Sequence, residues 1–133
     1  MQTDDPFMLA RNYIGKVIYR RYVEMDEAPS VVNCITFVRW FYERQGISLP
    51  SDYLEWLTLG DSVERSNLAC FDIVFTDGYR SQVVEHVGRV GHVGIVTDKQ
   101  TILHATTNVG IEEIPLDDFF RKRTFCCARR IMS

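Results

Sequence analysis

Three residues of this chain have the types and spacing required for nucleophilic catalysis: Cys34, His92 and His104. Cys34 lies near the start of the segment VNCITFVRWFYERQGISLP, and the two histidines lie twelve positions apart (104 − 92) in HVGIVTDKQTILHA. A cysteine attacks a carbonyl carbon as its thiolate, and a nearby imidazole can accept the thiol proton. A second imidazole can hold the first in the correct tautomer and orientation. The residue types therefore predict Cys34 as nucleophile, His92 as general base and His104 as orienting residue.

The segment from residue 32 to residue 50 is predicted to form a helix with the cysteine in its first turn. Apolar side chains follow the spacing of a core-facing stripe at Cys34, Phe37, Val38, Phe41 and Tyr42. Ser30 or Asn33 suits the N-cap, and Gly46 suits the left-handed residue that follows a helix. A free thiol has a pKa of about 8.5, which a helix N-terminus or a neighbouring imidazolium can lower. The structural alternative is a buried cysteine that only fills the core.

The two histidines are predicted to share one face of a β-hairpin. A turn at residues 97–99 would place His92 directly opposite His104. Directly paired residues project from the same side of a sheet, so one imidazole can contact the other. Gly94 lies on that face and leaves room beside His92. The alternative is a half-exposed hairpin whose histidines have no catalytic role.

Stabilisation of the oxyanion is expected from groups close to the nucleophile. The backbone N–H of Cys34, at a helix N-terminus, is one donor. A tyrosine, Tyr19 or Tyr22, can supply the second donor. Asn33 directly precedes the cysteine. We therefore predict an oxyanion or substrate-binding site that includes Tyr19, Tyr22 and Asn33.

Other reactive side chains compete for these roles. His86 begins a similar sequence, HVGRV, but has no close downstream partner, and Cys70 precedes a strand, where no helix dipole acts on its thiol. Cys126 and Cys127 are expected on opposite faces of the last strand. A basic C-terminal group is more typical of a solvated surface than of a nucleic-acid site, and it comprises Arg121, Lys122, Arg123, Arg129 and Arg130.

The order of predicted elements indicates an α+β fold in a single domain, residues 1–133. A first helix is expected with Asp4 or Asp5 as cap and Pro6 as first residue, followed by the cysteine helix and a short helix at 51–60. Strands are predicted at about 71–76, 82–87, 91–97, 101–106 and 124–131, with a helical turn in LDDFFRK. Helices followed by a meandering antiparallel sheet are typical of the α+β class.

Composition excludes several classes of protein. The net charge of −3 over 133 residues gives no reason to expect nucleic acid or an anionic membrane as partner. No apolar run is long enough to span a bilayer. The four cysteines lack zinc-site spacing, so we expect reduced thiols, no metal and no cofactor. Oligomeric state is not readable from the sequence.

The N-terminal sequence MQTDDPFMLARNY is acidic where a secretory signal would be basic and then apolar. We therefore expect a protein that stays where it is made, leaves by a signal-independent route such as a phage or a secretion system, or has lost a leader.

These motifs resemble those of the NlpC/P60 cysteine peptidases, which belong to a wider group that includes the CHAP amidases. The resemblance rests on the cysteine helix ending in GISLP, the strand FDIVF with Asp72, then HVGIV and ILHA, and it spans about residues 15–105. It implies a papain-like α+β fold, with N-terminal helices packed on a C-terminal antiparallel sheet. It also implies hydrolysis of peptide or amide bonds in bacterial cell-wall peptides. Cys34, His92 and His104 match the family nucleophile, base and third polar residue.

The chain departs from the family pattern next to the nucleophile. Asn33 stands where the family usually has an aspartate, which in some members holds a free α-amine of the substrate. Ile35 and Thr36 replace small residues. These differences place amine recognition in doubt but leave the Cys-His-His set intact.

Three functions are compatible with these residues. The first is a cell-wall peptidase or amidase, and the second is a thiol acyltransferase or deamidase acting on a protein or a lipid. Transfer and hydrolysis share an acyl-enzyme, so residue spacing does not separate them. The third is a binding module without turnover, which the complete Cys-His-His set disfavours.

Overall fold

The computed structural model describes residues 5–132 and has helices mainly before its strands. The α-helices are α1 (Pro6–Arg11), α2 (Cys34–Glu43) and α3 (Leu116–Lys122). The strands are β1 (Ile18–Tyr19), β2 (Val31–Val32), β3 (Asp61–Ser62), β4 (Ile73–Thr76), β5 (Gln82–Val84), β6 (Gly88–Val90), β7 (His92–Val96), β8 (Thr101–Thr106), β9 (Gly110–Pro115) and β10 (Phe125–Arg130). Short 3-10 segments cover Met25–Glu27, Tyr53–Thr58 and Arg65–Asn67. This order confirms the predicted α+β class.

A six-stranded antiparallel sheet forms the centre of the fold, with strand order β3-β10-β4-β7-β8-β9. Strands β7, β8 and β9 follow one another through short turns, which suits antiparallel pairing. Strand β10 returns after α3 and inserts between β3 and β4. Outside this sheet, β1 pairs with β2 in parallel and β5 forms a hairpin with β6. The strands that carry His92 and His104 are therefore neighbours in the sheet.

Helix α2 forms where the sequence predicts it because both of its ends carry suitable residues. Of the two proposed caps, Asn33 is the one used: its side-chain oxygen accepts from the N–H of Thr36, and the Thr36 hydroxyl accepts from the N–H of Asn33. Such caps contribute about 1 kcal/mol. Gly46 adopts φ +83°, as expected for a helix terminator. The cap therefore fixes Cys34 as the first helical residue.

The apolar stripe of α2 packs against the sheet as predicted. Its four large members, Phe37, Val38, Phe41 and Tyr42, are at most 1% exposed. Full burial of each such side chain stabilises the fold by about 1.5–3 kcal/mol. Near the end of this stripe, the buried carboxylate of Asp72 accepts two hydrogen bonds, both 2.9 Å, from the guanidinium of Arg130. This ion pair fixes the last strand to the segment that leads into β4.

Asp5 caps α1 as predicted, because its side chain accepts a hydrogen bond from the N–H of Phe7. The other candidate cap, Asp4, lies outside the described residues. The segment at 51–60 forms a 3-10 helix, and Asp52 accepts from the N–H of Leu54 at its start. Strand β9 was not predicted from the sequence. Its residues, GIEEIP, lack the alternation of a half-buried strand and end in proline.

The hairpin of β7 and β8 has a different register from the predicted one. The loop is 98–100, closed by a hydrogen bond from the N–H of Thr97 to the carbonyl of Thr101, with Gln100 at φ +57°. Three-residue loops commonly end in such a left-handed residue. The observed register pairs Ile95 with Leu103. This partner lies two positions further along β8 than the register that places His92 opposite His104. A shift of two keeps every side chain on its original face, so the apolar pattern does not distinguish the two registers.

Candidate active site

Cys34 lies on the wall of a cavity of about 710 Å³ at the N-terminus of α2. His92 lines the same cavity, as do the aromatic side chains of Tyr19 and Tyr53. The cysteine is 8% exposed and His92 is 5% exposed, so both groups are almost fully buried in the cavity wall. The structure therefore brings the predicted nucleophile and base to one wall.

The two predicted histidines are in direct contact. Nε2 of His92 lies 2.7 Å from Nδ1 of His104, and the rings meet edge to face with centroids 4.9 Å apart. The shifted register places His104 across from Gly94 rather than across from His92, so the two rings meet diagonally. A Cβ atom at position 94 would lie 3.2 Å from Cβ of His104 and 2.8 Å from Cγ2 of Ile102. The glycine therefore leaves space for the His104 side chain.

Glu112 extends the histidine pair to a third partner that sequence reasoning missed. Its Oε2 lies 2.8 Å from Nε2 of His104. The ladder of β8 and β9 places the two residues directly opposite each other. Strand β9 gave no clear strand pattern, so nothing in the sequence assigned Glu112 to a position beside His104. Two adjacent glutamates in GIEEIP were the only signal that could have indicated it.

The order of these contacts fixes where the protons lie. Because a carboxylate is only a hydrogen-bond acceptor, Glu112 accepts a hydrogen bond from the N–H at Nε2 of His104. A neutral His104 then presents Nδ1 as an acceptor, and Nε2 of His92 donates to it. The remaining nitrogen of His92, Nδ1, is left unprotonated. This is the tautomer that a general base requires.

Burial keeps both imidazoles neutral. It lowers the pKa of His92 well below 6.5, and the charges of Arg123 and His104 act in the same direction. Burial also lowers the pKa of His104 to about 4, although the hydrogen bond and the charge of Glu112 oppose this shift. At neutral pH the pair can therefore accept a proton.

The thiol of Cys34 is held in its protonated form. Burial raises its pKa. A hydrogen bond from the backbone of Val93, the charge of Arg123 and hydrogen bonds from the first backbone N–H groups of α2 only partly oppose this shift. The lowering expected from the helix N-terminus is therefore smaller than the cost of burying a thiolate. A neutral thiol and a neutral imidazole on the wall of the same cavity are the resting arrangement that these shifts favour.

The predicted accessory residues lie in different places. Tyr19 is half-buried in the cavity, and burial followed by the charge of Cys34 raises its hydroxyl pKa. Burial and the charge of Cys34 also raise the pKa of Tyr53, to about 12, and this residue was not among the predicted site residues. Tyr22 lies at the rim with 80% exposure. Asn33 does not line this cavity, because its amide caps α2 and donates to the carbonyl of Arg21.

The competing residues lie away from the cavity. His86 is on the turn between β5 and β6, where its side chain is 89% exposed beside Glu85. Cys70 is half-buried ahead of β4 and lies within electrostatic reach of Asp72 and Asp98. Neither residue is on the cavity wall.

Arg123 differs from the expectation that the basic C-terminal group lies on a solvated surface. It follows α3 directly and lines the cavity of Cys34 and His92. It also lines a neighbouring cavity of about 510 Å³ beside His104 and Glu112. One member of the basic C-terminal group is therefore part of the candidate site.

Within residues 5–132, no group of three or more His, Cys, Asp or Glu side chains is placed to hold a metal ion. The same part of the chain has no helix with both the length and the apolar character needed to cross a bilayer.

Comparisons with known proteins point to one family. The model of the NlpC/P60 family matches residues 20–130. The murein DD-endopeptidase MepS/murein LD-carboxypeptidase of Escherichia coli K12 is 34% identical over 104 residues, covering 77% of this chain and 50% of that protein. The chain thus spans about half the length of the curated relatives it matches.

Solved structures show the same fold. NlpC2 from Trichomonas vaginalis superposes with a TM-score of 0.75 at 16% identity, over 99% of this chain and 49% of that one. The NlpC/p60 domain of the peptidoglycan hydrolase SagA superposes with a TM-score of 0.65 at 20% identity, over 92% of this chain and 94% of that one. With the family match over most of its length, the chain belongs to the NlpC/P60 family.

Proposed function

We propose that this protein is a cysteine peptidase or amidase that hydrolyses peptide or amide bonds in bacterial cell-wall peptides. Cys34 is the nucleophile, His92 the general base and His104 the orienting residue. The observation that carries the proposal is the 2.7 Å contact between the two imidazoles, since His92 also lines the cavity of Cys34. The name of the Escherichia coli relative, a murein endopeptidase and carboxypeptidase, supports the choice of substrate.

Acylation begins with transfer of the thiol proton of Cys34 to Nδ1 of His92 as the sulfur bonds to the carbonyl carbon. The two groups are neutral at rest, so the transfer accompanies the attack. The backbone N–H of Cys34 and the hydroxyl of Tyr19 stabilise the oxyanion. The imidazolium of His92 donates to His104, whose far nitrogen is held by Glu112.

Collapse of the tetrahedral intermediate breaks the bond to nitrogen, and His92 gives its proton to the leaving amine. The acyl group stays on Cys34 as a thioester. Water then attacks the thioester carbonyl while His92 takes a proton from it. The carboxylate product leaves, and the proton returns to the sulfur. No cofactor is needed for this balance.

The test is hydrolysis of purified muropeptides, followed by mass spectrometry and by the appearance of free amines. Replacing Cys34 or His92 with alanine is expected to lower kcat by at least about 10³-fold, as for nucleophile and base removal in other covalent enzymes. Cys70→Ala is the matched control, since it removes a free thiol outside the cavity. Its activity should equal that of the wild type.

Reaction in H₂¹⁸O separates hydrolysis from acyl transfer. Incorporation of one ¹⁸O atom into the new carboxylate is expected when water resolves the thioester. A product that carries an added amine or alcohol, with no labelled carboxylate, would show a transferase instead. Turnover that survives Cys34→Ala would reject the assigned nucleophile.

A further inference from the structure

Cys126 and Cys127 lie on the same face of β10, although strict alternation along a strand predicts opposite faces. The ladder of β10 and β4 pairs Phe125 with Thr76 and then Cys127 with Phe75. Cys126 is therefore an extra residue with no partner in β4, which is a β-bulge. A bulge changes the direction in which a side chain projects, so the expected placement of the two cysteines on opposite faces is wrong.

The packing around β10 confirms that the two cysteines share a face. Both pack against the core cluster that contains Phe75. Phe125 and Ala128, on either side of them in the sequence, belong to the other core cluster of the sheet. Two neighbouring thiols in the middle of a strand are thus brought to one side of the sheet.

The two thiols also interact with each other. Both cysteines are free and half-buried. Burial, followed by the charge of Cys126 and a hydrogen bond with its side chain, raises the pKa of Cys127 to about 12. The pair therefore rests as two protonated thiols in contact.

A small ligand can reach this pair without entering the cavity of Cys34. Cys126 lines a cavity of about 410 Å³ that does not include Cys34 or His92. Its thiol donates to the carbonyl of Val87 at 3.6 Å. A Cβ atom at Gly88 would lie 3.2 Å from the Cys126 sulfur, so the glycine leaves space beside the thiol.

The geometry of the pair favours a ligand that bridges the sulfurs over a direct bond between them. A disulfide requires sulfurs about 2.05 Å apart, which two thiols in contact do not reach without movement of the strand. Two sulfurs that each bind one metal ion at about 2.3 Å can remain up to about 4.6 Å apart. Among residues 5–132 no group of three His, Cys, Asp or Glu side chains is placed to hold a metal, so a tetrahedral zinc site does not fit.

We propose that Cys126 and Cys127 form a dithiol site for a soft, thiophilic centre that needs only two protein sulfurs. Copper(I) and a trivalent arsenic atom with one organic group share this chemistry, since thiolates prefer soft ions. With an arsenic oxide, both S–H bonds break, two As–S bonds form and the oxide leaves as water, while arsenic stays trivalent. With copper(I), the two thiol protons pass to the solvent. The site is separate from the proposed peptidase chemistry, and its test needs no turnover.

The first test uses phenylarsine oxide. The folded protein is treated with the reagent, unbound reagent is removed, and intact mass spectrometry counts the phenylarsenic groups per chain. The second As–S bond is intramolecular, so removal of the adduct should need about 10²-fold more 2-mercaptoethanol than 1,2-ethanedithiol. Cys126→Ala should weaken binding about 10²-fold or more. Cys34→Ala and Cys70→Ala, which each remove a thiol elsewhere, should bind as the wild type does.

The double variant Cys126→Ala/Ala128→Cys is the matched control. It keeps two cysteines adjacent in the sequence, at positions 127 and 128, but places them in different core clusters. The folded double variant should bind phenylarsine oxide no more tightly than Cys126→Ala. Equal binding by the double variant and the wild type would overturn the inference, because adjacency alone would then explain it.

A second titration separates the two kinds of ligand. Copper(I) is supplied without oxygen from its bicinchoninate complex, and transfer to the protein is followed by loss of the complex's colour. Transfer of one copper(I) that is lost in Cys126→Ala would assign the site to a soft cation, and binding of the arsenical alone would assign it to arsenicals. If the wild type takes up neither probe, or if 2-mercaptoethanol removes the arsenical as readily as the dithiol does, the dithiol site is rejected. This result needs no variant that folds.

Discussion

Replacement of Glu112 by glutamine tests whether the carboxylate, and not only the histidine pair, supports catalysis. The variant keeps the size of the side chain and removes the charge that His104 contacts at 2.8 Å. Hydrogen bonds to charged groups contribute about 1.5–3 kcal/mol. The Glu112 side chain is 27% exposed, so the lower part of that range, about 1.5–2 kcal/mol, applies. At about 1.4 kcal/mol per tenfold, kcat should fall roughly 10- to 30-fold.

The reason for this loss is the charge that develops during catalysis. His92 becomes an imidazolium when it takes the thiol proton, and Glu112 stabilises that charge through His104. The bond should strengthen in the transition state, so kcat is expected to fall with little change in KM. The assay is steady-state hydrolysis of a muropeptide, together with ¹⁵N NMR of the histidine side chains. In the wild type, His104 should carry its hydrogen on Nε2.

Glu113→Gln is the matched control on the next position of β9. Glu113 faces the other way and binds Arg11 at 2.8 Å, so its loss should lower thermal stability and leave kcat within about 2-fold of wild type. The reasoning is refuted if Glu112→Gln retains full kcat, or if its loss of activity is matched by the Glu113 variant.

Four further outcomes follow from the same geometry. Iodoacetamide labelling of Cys34 should rise at a higher pH than labelling of a free thiol, because burial raises the pKa of Cys34. A plateau below about pH 8 would contradict this. His104 has a pKa of about 4 when folded and about 6.5 when unfolded, so the unfolded state binds more protons between these values. As pH falls through this window, His104 should contribute a loss of stability of about 3 kcal/mol, to which the lowered pKa of His92 adds. Urea titrations should show a smaller drop for His104→Asn. Gly94→Ala should lower the free energy of unfolding by about 1–3 kcal/mol and lower kcat by displacing His104. Thermal unfolding and hydrolysis measure the two effects, and unchanged values would reject the close packing. Asn33→Ala should cost about 1 kcal/mol of unfolding free energy through loss of the helix cap, whereas Asn33→Asp should retain it, and equal stabilities of the two variants would dismiss the cap.

The tyrosines and Arg21 occupy different parts of the cavity around Cys34. Tyr19 and Tyr53 approach the nucleophile, whereas Tyr22 is at the rim with Arg21. Asn33 is used for the helix, not for the cavity. Part of the cavity lining around Cys34 is therefore contributed by segments outside the motifs that carry the family resemblance.

The local sequence determined the parts of this protein that depend on periodicity. The stripe from Cys34 to Tyr42 required a helix, and the helix N-terminus had to carry the cysteine. Side chains in β7 and β8 alternate between the two faces of the sheet. This placed His92 and His104 on one face, a result that holds in either hairpin register. Adjacent residues set these properties, so no distant contact is needed to predict them.

Only the tertiary structure decided which groups complete the site. The hairpin register depends on a loop that the sequence allows at either 97–99 or 98–100. Glu112 meets His104 only because β9 pairs with β8, and Arg123 reaches the cavity only because α3 returns the chain to the sheet. The pKa of Cys34 is set by how deeply the thiol is buried, which outweighs the helix N-terminus. Each of these depends on contacts between segments far apart in sequence, and residue spacing does not encode those distances.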